Sequence, residues 1–543
     1  MDVGPGLAAD VTAPQGFGRR AALLVGRPWA LAGLVGLLAA VVLWLMIQPL
    51  ARFTNDTDSA ATVLYFERII HGQRLEAFVP TTPKPLLTVI YGLLWSVTQD
   101  WRALTIASIG AGALAVALAA RLAARLGGAV AGAVVVIALL AWPDFQTEVA
   151  NGNSFVWGLA LWLVAGVLMT GDRPRPWLAG ITLALAGLAR TETFWLVGAA
   201  FCCTAFVAWQ TRRGGERARL LEVAPLLLGA LAVPVMCLHD LILTGRPLYW
   251  LSVPTGYTAL ATPNLAAVSP LRSLHAEIVH YLPAAPLIIL AGVGVAGLLI
   301  ARRRALVFAL ACLICGVLFM LVYLPWRAVF VTTRYYQEAD APILLLVGIG
   351  AGFAAAWTGG RIAGRRPRLD RWKPVAGVTL AVALALGAVA VDVPKDTLGP
   401  ALATQTAGYS ALEQQVPTLR QVLAGATGGV TTVRGVSYPV ADPDACRVFV
   451  PRHLLPLIAV ETGASIGSLG DSYLAFGGDN YSALRPGQYV LHISAADGAG
   501  GAYAPFERST SSVLAVAPGR DVRITPLYVN QGQGVWFLRI DAA

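Results

Sequence analysis

Charged residues are scarce in this chain. Only 13% of its 543 residues are charged, whereas 57% are hydrophobic. A soluble globular domain usually carries about 25% charged residues, so the shortage excludes a soluble cytoplasmic enzyme. A disordered chain is excluded by the hydrophobic content. With 6 cysteines, the chain also has too few for a disulfide scaffold.

Long apolar runs are what the sequence has instead. Runs of about 17–25 apolar residues are typical of membrane-spanning helices, and we count eleven, of which two are short. They are Pro28–Leu50, Ala103–Leu122, Ala129–Trp142, Phe155–Met169, Trp177–Leu188, Phe194–Trp209, Ala224–Leu238, Ala284–Ile300, Leu306–Leu324, Pro342–Trp357 and Val375–Val391. The pattern predicts a polytopic α-helical membrane protein in the cell's inner or plasma membrane.

The basic residues are distributed unevenly among the connections between these runs. Alternate connections hold half of the 40 basic residues but only a fifth of the 30 acidic ones. Because cytoplasmic loops are enriched in Lys and Arg, we expect the N-terminus on the cytoplasmic side. The net charge of +10 is therefore a topology signal, and we expect no nucleic-acid partner.

Three parts follow from this topology. Residues 1–27 are expected to form a cytoplasmic tail, and residues 28–391 a transmembrane domain with a long first outer loop at residues 51–100. Residues 392–543 are expected to form a C-terminal extracytoplasmic α/β domain. Tyr409–Leu423 has helical character there, and five segments have strand character: Val430–Val433, Arg447–Val450, Gln488–Ile493, Val522–Val529 and Gly534–Ile540.

The outer loops contain the unusual polar residues. The first loop carries Asp56 and Asp58, with Gly72 14 residues after Asp58, and then Lys84-Pro85. A short link between two later spans reads Arg190-Thr191-Glu192, and Arg334-Tyr335 precedes a late span. Ionisable groups at the membrane edge are costly and tend to be paired or functional.

These four features, in this order, resemble the motifs of the membrane-embedded GT-C glycosyltransferases. That group includes aminoarabinose transferases, protein O-mannosyltransferases and actinobacterial arabinosyltransferases. The resemblance covers roughly residues 28–360. It implies transfer of a sugar, with inversion, from a polyprenyl-phosphate donor to an acceptor in the cell envelope. Where many relatives have an acid after the third span, this chain has Asn153, with Glu148 nearby.

The resemblance also implies roles for single residues. Asp58 would be the general base that accepts the acceptor's proton, with Asp56 as second choice or partner. Lys84 and Arg334 would bind the donor phosphate. Glu148, Asn153, Arg190, Glu192 and Tyr335 would be acceptor-binding or secondary residues. No cofactor is required with certainty, although Mg or Mn held by Asp56 and Asp58 stays open.

Simpler structural interpretations stay open beside these roles. An Asp before an amphipathic helix is an ordinary N-cap. Lys84 could be a snorkelling membrane anchor, and Arg190 and Glu192 could pair with each other. The alternative function is a transporter or flippase of a lipid-linked saccharide. It would favour mid-membrane ionisable residues and repeated halves, and the sequence shows no internal repeat.

Overall fold

A computed structural model describes most of the membrane part and pieces of the C-terminal part. The described residues are 28–47, 57–77, 81–171, 173–191, 198, 224–251, 285–300, 337–365, 412–424, 426, 431–433, 436–438, 447–451, 454–471, 485–493, 514–515, 522–530 and 535–542. The structure is mostly helical.

Eleven α-helices and one 3₁₀ segment make up the described membrane part. They are α1 Pro28–Ile47, α2 Thr57–Ile70, α3 Pro85–Thr98, α4 Arg102–Gly127, α5 Ala129–Ala141, α6 Pro143–Ala150, α7 Ser154–Thr170, α8 Pro176–Ala189, the 3₁₀ segment Ala224–Leu231, α9 Ala232–Thr244, α10 Ala285–Ile300 and α11 Gln337–Arg365. The helices α2 and α3 form the predicted first outer loop.

Among the described residues, four stretches of helix are long and apolar enough to cross a membrane: Trp29–Ile47, Arg102–Gly127, Ala224–Thr244 and Asp340–Thr358. The other described runs that we predicted as spans also form apolar helices, but shorter ones. Three predicted spans, Phe194–Trp209, Leu306–Leu324 and Val375–Val391, lie outside the described residues.

One connection differs from the sequence prediction. The segment after Trp142, which we expected to be an outer loop, begins with helix α6 and bends by 62° from α5. Pro143 is the cause, because a proline at the first helical position breaks the preceding helix and starts the next. The bend places Glu148 on a helix beside the turn that leads into α7.

Small residues let the membrane helices approach closely. The helix α4 packs against α1, α5 and α7, and most of it is buried. Helices α10 and α11 touch backbone to backbone, since a Cβ built at Gly350 would lie 1.9 Å from the carbonyl oxygen of Leu290. Such small-residue contacts are typical of helix packing in membranes.

The described C-terminal part contains two helices and two sheets. A helix includes residues 412–423, and a second runs from Leu455 to Thr462. Strands β1 Thr431–Val433 and β2 Val436–Tyr438 pair antiparallel. Six strands form a mixed sheet in the order β4-β3-β5-β8-β7-β6. They are β3 Val448–Val450, β4 Leu469–Asp471, β5 Tyr489–Ile493, β6 Leu514–Ala515, β7 Val522–Asn530 and β8 Val535–Ala542.

The C-terminal part packs on helix α2 and on residues that follow it in the sequence. Helix Leu455–Thr462 lies against α2, and apolar residues of both share one buried cluster. Hydrogen bonds of Trp101 and Glu76 help to fix the junction. The indole N–H of Trp101 donates to Glu461 at 2.8 Å. The carboxylate of Glu76 accepts from the hydroxyl of Ser465 at 2.5 Å and from the N–H of Ile466 at 3.0 Å.

Candidate active site

Asp58 lies in the first turn of α2 and is 4% exposed. The carboxylate there is favoured by the helix dipole, but its contacts reach beyond its own helix. It accepts hydrogen bonds from the hydroxyl of Thr81 and from the side-chain amide of Asn153, the latter at 3.1 Å. A capping role within α2 does not explain these contacts, because they join three separate segments of the chain.

Lys84 supplies a positive charge to the same carboxylate. It holds the N-cap position of α3 between Pro83 and Pro85, and it is 3% exposed. Its Nζ lies 3.0 Å from Oδ2 of Asp58 and donates to the Thr81 hydroxyl at 2.8 Å. A snorkelling anchor would extend its ammonium toward water, whereas this ammonium is buried against the acid.

Asn153 connects Asp58 to Arg190. As the N-cap of α7, its Oδ1 accepts from the backbone N–H of Phe155 at 3.0 Å. The same oxygen accepts from the Arg190 guanidinium at 3.2 Å, and the amide N–H₂ group faces Asp58. Arg190 is only 2% exposed at the end of α8. The cation therefore orients the Asn153 amide so that its donor side meets the carboxylate.

The turn that carries Asn153 is held in place from two sides. Gly152 has a φ of +69°, a left-handed conformation that glycine adopts without strain. Its carbonyl accepts from the Tyr91 hydroxyl of α3 at 2.7 Å, and Trp157 in turn donates to that hydroxyl at 2.8 Å. The Ser59 hydroxyl of α2 donates to the carbonyl of Asn151 at 3.2 Å. Both helices that position the charged pair therefore also position the amide.

Glu148 makes a different contact. It is 5% exposed on α6, and its Oε1 accepts from the side-chain amide of Gln337 at 3.0 Å. Gln337 begins α11. This contact brings the start of α11 close to the turn that carries Asn153. Gln337 lies two residues after Tyr335 in the sequence.

Four of the residues singled out in the sequence lie outside the described residues: Asp56, Glu192, Arg334 and Tyr335. Their roles stay predictions. The structure thus brings together Asp58, Lys84, Asn153 and Arg190, which are far apart in the sequence.

The side chains around Asp58 determine whether it could bind a metal ion. Within the described part of the chain, no group of three or more His, Cys, Asp or Glu residues could hold a metal ion. The carboxylate contacts a hydroxyl, an amide N–H₂ and an ammonium. These are hydrogen-bond donors, one of them positively charged, whereas Mg²⁺ prefers oxygen ligands. The described contacts of Asp58 are therefore those of an ion-paired, hydrogen-bonded carboxylate and not of a metal ligand. Asp56, the other residue named for a metal site, lies outside the described residues.

Two site residues were missed in the sequence. Thr81 lies in the Pro80-Thr81-Thr82-Pro83 run and Tyr65 in the segment after Asp58, and neither residue type suggests a role there. The Tyr65 hydroxyl donates to the Thr81 carbonyl at 3.0 Å. Burial raises the pKa of the Tyr65 phenol well above its ordinary value, and Tyr249, Asp58 and Asp240 raise it further. Tyr65 therefore stays a protonated donor at any physiological pH.

Comparison with known proteins places the fold. No protein-family model matches the chain, and no curated protein matches its sequence. Among solved structures, it is similar to the archaeal oligosaccharyltransferase AglB from Archaeoglobus fulgidus, at 12% identity and a TM-score of 0.51, over 85% of this chain and 69% of that one. At this identity the likeness shows that the two chains share a fold.

A second solved structure also matches over nearly the whole length. ArnT from Cupriavidus metallidurans is 14% identical, with a TM-score of 0.47, and the match covers 94% of this chain and 98% of that chain. The fold shared with AglB agrees with the GT-C resemblance that the four sequence features predicted.

Proposed function

We propose that this protein transfers a sugar from a polyprenyl-phosphate-linked donor to an acceptor on the outer face of the membrane. The observation that carries the proposal is the buried pair of Asp58 and Lys84, with Nζ and Oδ2 3.0 Å apart, in the first outer loop of a GT-C fold. The structure of the similar protein AglB was solved with a dolichol-phosphate, which supports a lipid-phosphate substrate here.

Asp58 is the general base in this proposal. Donors on Thr81, Asn153 and Lys84 favour its charged form, so the carboxylate is ready to accept a proton at neutral pH. A strongly stabilised carboxylate is a weak base. It is adequate if the acceptor hydroxyl loses its proton late, after its oxygen has begun to bond to the anomeric carbon.

Lys84 binds the phosphate of the donor, and Arg334 is the second proposed phosphate ligand. The departing lipid phosphate gains negative charge, which a placed cation stabilises. In an inverting displacement the base and the leaving phosphate lie on opposite sides of the anomeric carbon. Donor binding must therefore separate the ammonium from Asp58, and the four-carbon stem of a lysine permits this.

Several finer features belong to the same proposal. They are eleven spans, a cytoplasmic N-terminus, an extracytoplasmic α/β domain from residue 392, and an acceptor that is a glycan, lipid or protein of the cell envelope. An arabinose- or mannose-type sugar fits the resemblance of the motifs. We further propose that Arg190 and Asn153 act through Asp58, since the amide links the two charged groups.

The first test is lipid binding, measured by native mass spectrometry with undecaprenyl phosphate as probe. Asp58→Asn should still bind the lipid, whereas the double variant Asp58→Asn/Lys84→Met should lose it. The comparison isolates the lysine without leaving an unpaired carboxylate. Lys373→Met, a substitution in a predicted cytoplasmic connection, is the matched control and should bind normally. Retention of the lipid by the double variant would overturn the role of Lys84.

A flippase would bind the same lipid, so the second test is transfer itself. The saccharide lipid that copurifies with the protein is identified by mass spectrometry and supplied as donor. Turnover that depends on Asp58 supports a transferase. Lipid binding and translocation without any transfer would favour the flippase.

A further inference from the structure

Thr81 touches both charged groups of the site through one hydroxyl group. The residue is 6% exposed and lies three positions before Lys84. Its hydroxyl donates to Oδ1 of Asp58 and accepts from Nζ of Lys84 at 2.8 Å. The directions are fixed by chemistry, because an ammonium can only donate and a carboxylate can only accept. The single O–H of Thr81 is therefore committed to Asp58.

The backbone of Thr81 is anchored separately from these contacts. The Tyr65 phenol, which is wholly buried, donates to the Thr81 carbonyl at 3.0 Å. Tyr65 lies seven residues after Asp58, about two helical turns, so both residues belong to the same rigid helix α2. The Thr81 hydroxyl consequently keeps its position relative to Asp58 when the Lys84 side chain moves.

We infer that Thr81 is a positioning residue that fixes the Asp58 carboxylate and keeps it charged while Lys84 is engaged with the donor phosphate. The inference rests on the proposed function. Lys84 is the donor to Asp58 that must leave when the lipid binds. The hydroxyl of Thr81 and the amide of Asn153 are neutral and remain.

Several other groups contribute to the field at this carboxylate. Lys84 faces it from the start of α3, and Tyr65 lies on its own helix. Asp240 of α9 acts on the same Tyr65 phenol. Arg190 at the end of α8 acts through Asn153. Thr81→Val also removes the oxygen that accepts from the Lys84 ammonium at 2.8 Å, whereas Thr81→Ser keeps it, so the comparison of these two variants isolates the effect of the hydroxyl.

The test is an infrared pH titration of the purified protein in detergent. The stretching band of the protonated Asp58 carboxyl group is assigned from the difference between the wild-type protein and Asp58→Asn. Thr81→Val removes the hydroxyl at nearly constant volume, and Thr81→Ser keeps it. Because loss of a donor disfavours the charged form, the protonation midpoint in Thr81→Val should rise by about one pH unit or more. Thr81→Ser should match the wild-type protein.

An unchanged midpoint in Thr81→Val would overturn the inference, as would an equal shift in Thr81→Ser. If Thr81→Val does not fold, Thr81→Ala supplies the same comparison. The titration uses no substrate, so it can succeed even if the protein transfers no sugar. Where transfer is measured, the acid limb of the pH–activity profile should move upward in Thr81→Val. Undecaprenyl phosphate binding by the same variant should persist, because Lys84 is intact.

Discussion

Replacing Lys84 by Met should destabilise the fold in a pH-dependent way. The substitution leaves the Asp58 carboxylate, 4% exposed, without the ammonium that lies 3.0 Å away. Breaking one side of a buried ion pair costs about 3–5 kcal/mol. The hydrogen bonds from Thr81 and Asn153 remain, so we expect the lower half of that range.

The loss of folding stability in Lys84→Met has an upper limit, because the Asp58 carboxyl group can take up a proton instead of staying charged. An ordinary aspartate has a pKa of about 3.9, and each pH unit above it costs about 1.36 kcal/mol, so neutralisation costs roughly 4 kcal/mol at pH 7. At pH 5.5 the same arithmetic gives roughly 2 kcal/mol. In the variant the folded state then binds more protons than the unfolded state. Its stability should therefore fall as the pH rises from about 4 to 7.

The assay is unfolding in mixed detergent micelles at pH 5.5 and pH 7, followed by tryptophan fluorescence. Lys84→Met should lose about 3–4 kcal/mol relative to the wild-type protein at pH 7 and about 2 kcal/mol or less at pH 5.5. Asp58→Asn/Lys84→Met should lose less, with little pH dependence, since no buried charge is left. Equal losses at both pH values, or no recovery in the double variant, would refute the buried ion pair.

Three further substitutions test the contact of Asn153 with Asp58, the junction with the C-terminal part, and the packing of α3 on α2. Asn153→Asp keeps the oxygen that caps α7 but replaces the hydrogen-bond donor to the Asp58 carboxylate by a second negative charge. The rate of sugar transfer in a turnover assay should therefore fall by about 100-fold or more. Trp101→Phe removes the 2.8 Å hydrogen bond to Glu461 and should lower the stability of the junction by about 1.5–3 kcal/mol. Proteolysis of the C-terminal part should then be faster, and an unchanged rate of proteolysis would contradict the junction. Gly92→Ala places a Cβ within 2.0 Å of an α2 side chain, whereas nothing lies within 4 Å at Gly110. Gly92→Ala should therefore lower the unfolding temperature, and Gly110→Ala should change it less.

The positions of the helices could be predicted from the sequence wherever a long apolar run is enough to specify a helix. The described runs that we predicted as spans all form helices. The helix α6 was missed, because a proline after an apolar run can either end in a loop or begin a new helix. Whether the chain forms a loop or a helix after Pro143 depends on the packing of Phe145 and Val149, which are both wholly buried. A sequence pattern does not show that packing.

The candidate site was predictable in part for a chemical reason. The sequence shows a lysine between two prolines, in a chain with only three lysines, and an acid in the same predicted loop. The role of Thr81 was not visible, because it depends on a turn that brings a hydroxyl to a carboxylate 23 residues earlier. The contact between Arg190 and Asn153 likewise depends on how α7 and α8 pack. The sequence suggested only a local pair of Arg190 and Glu192.

The central claim is that the Asp58 carboxylate accepts a proton during sugar transfer. The most direct measurement is the single-turnover rate of Asp58→Asn with the copurified lipid-linked sugar as donor, beside the wild-type protein. Asn keeps the size of the side chain and cannot act as a base. The account predicts a loss of about 10²–10⁴-fold, the usual contribution of a general base, with binding of undecaprenyl phosphate retained. A rate within a few-fold of the wild-type value would contradict it.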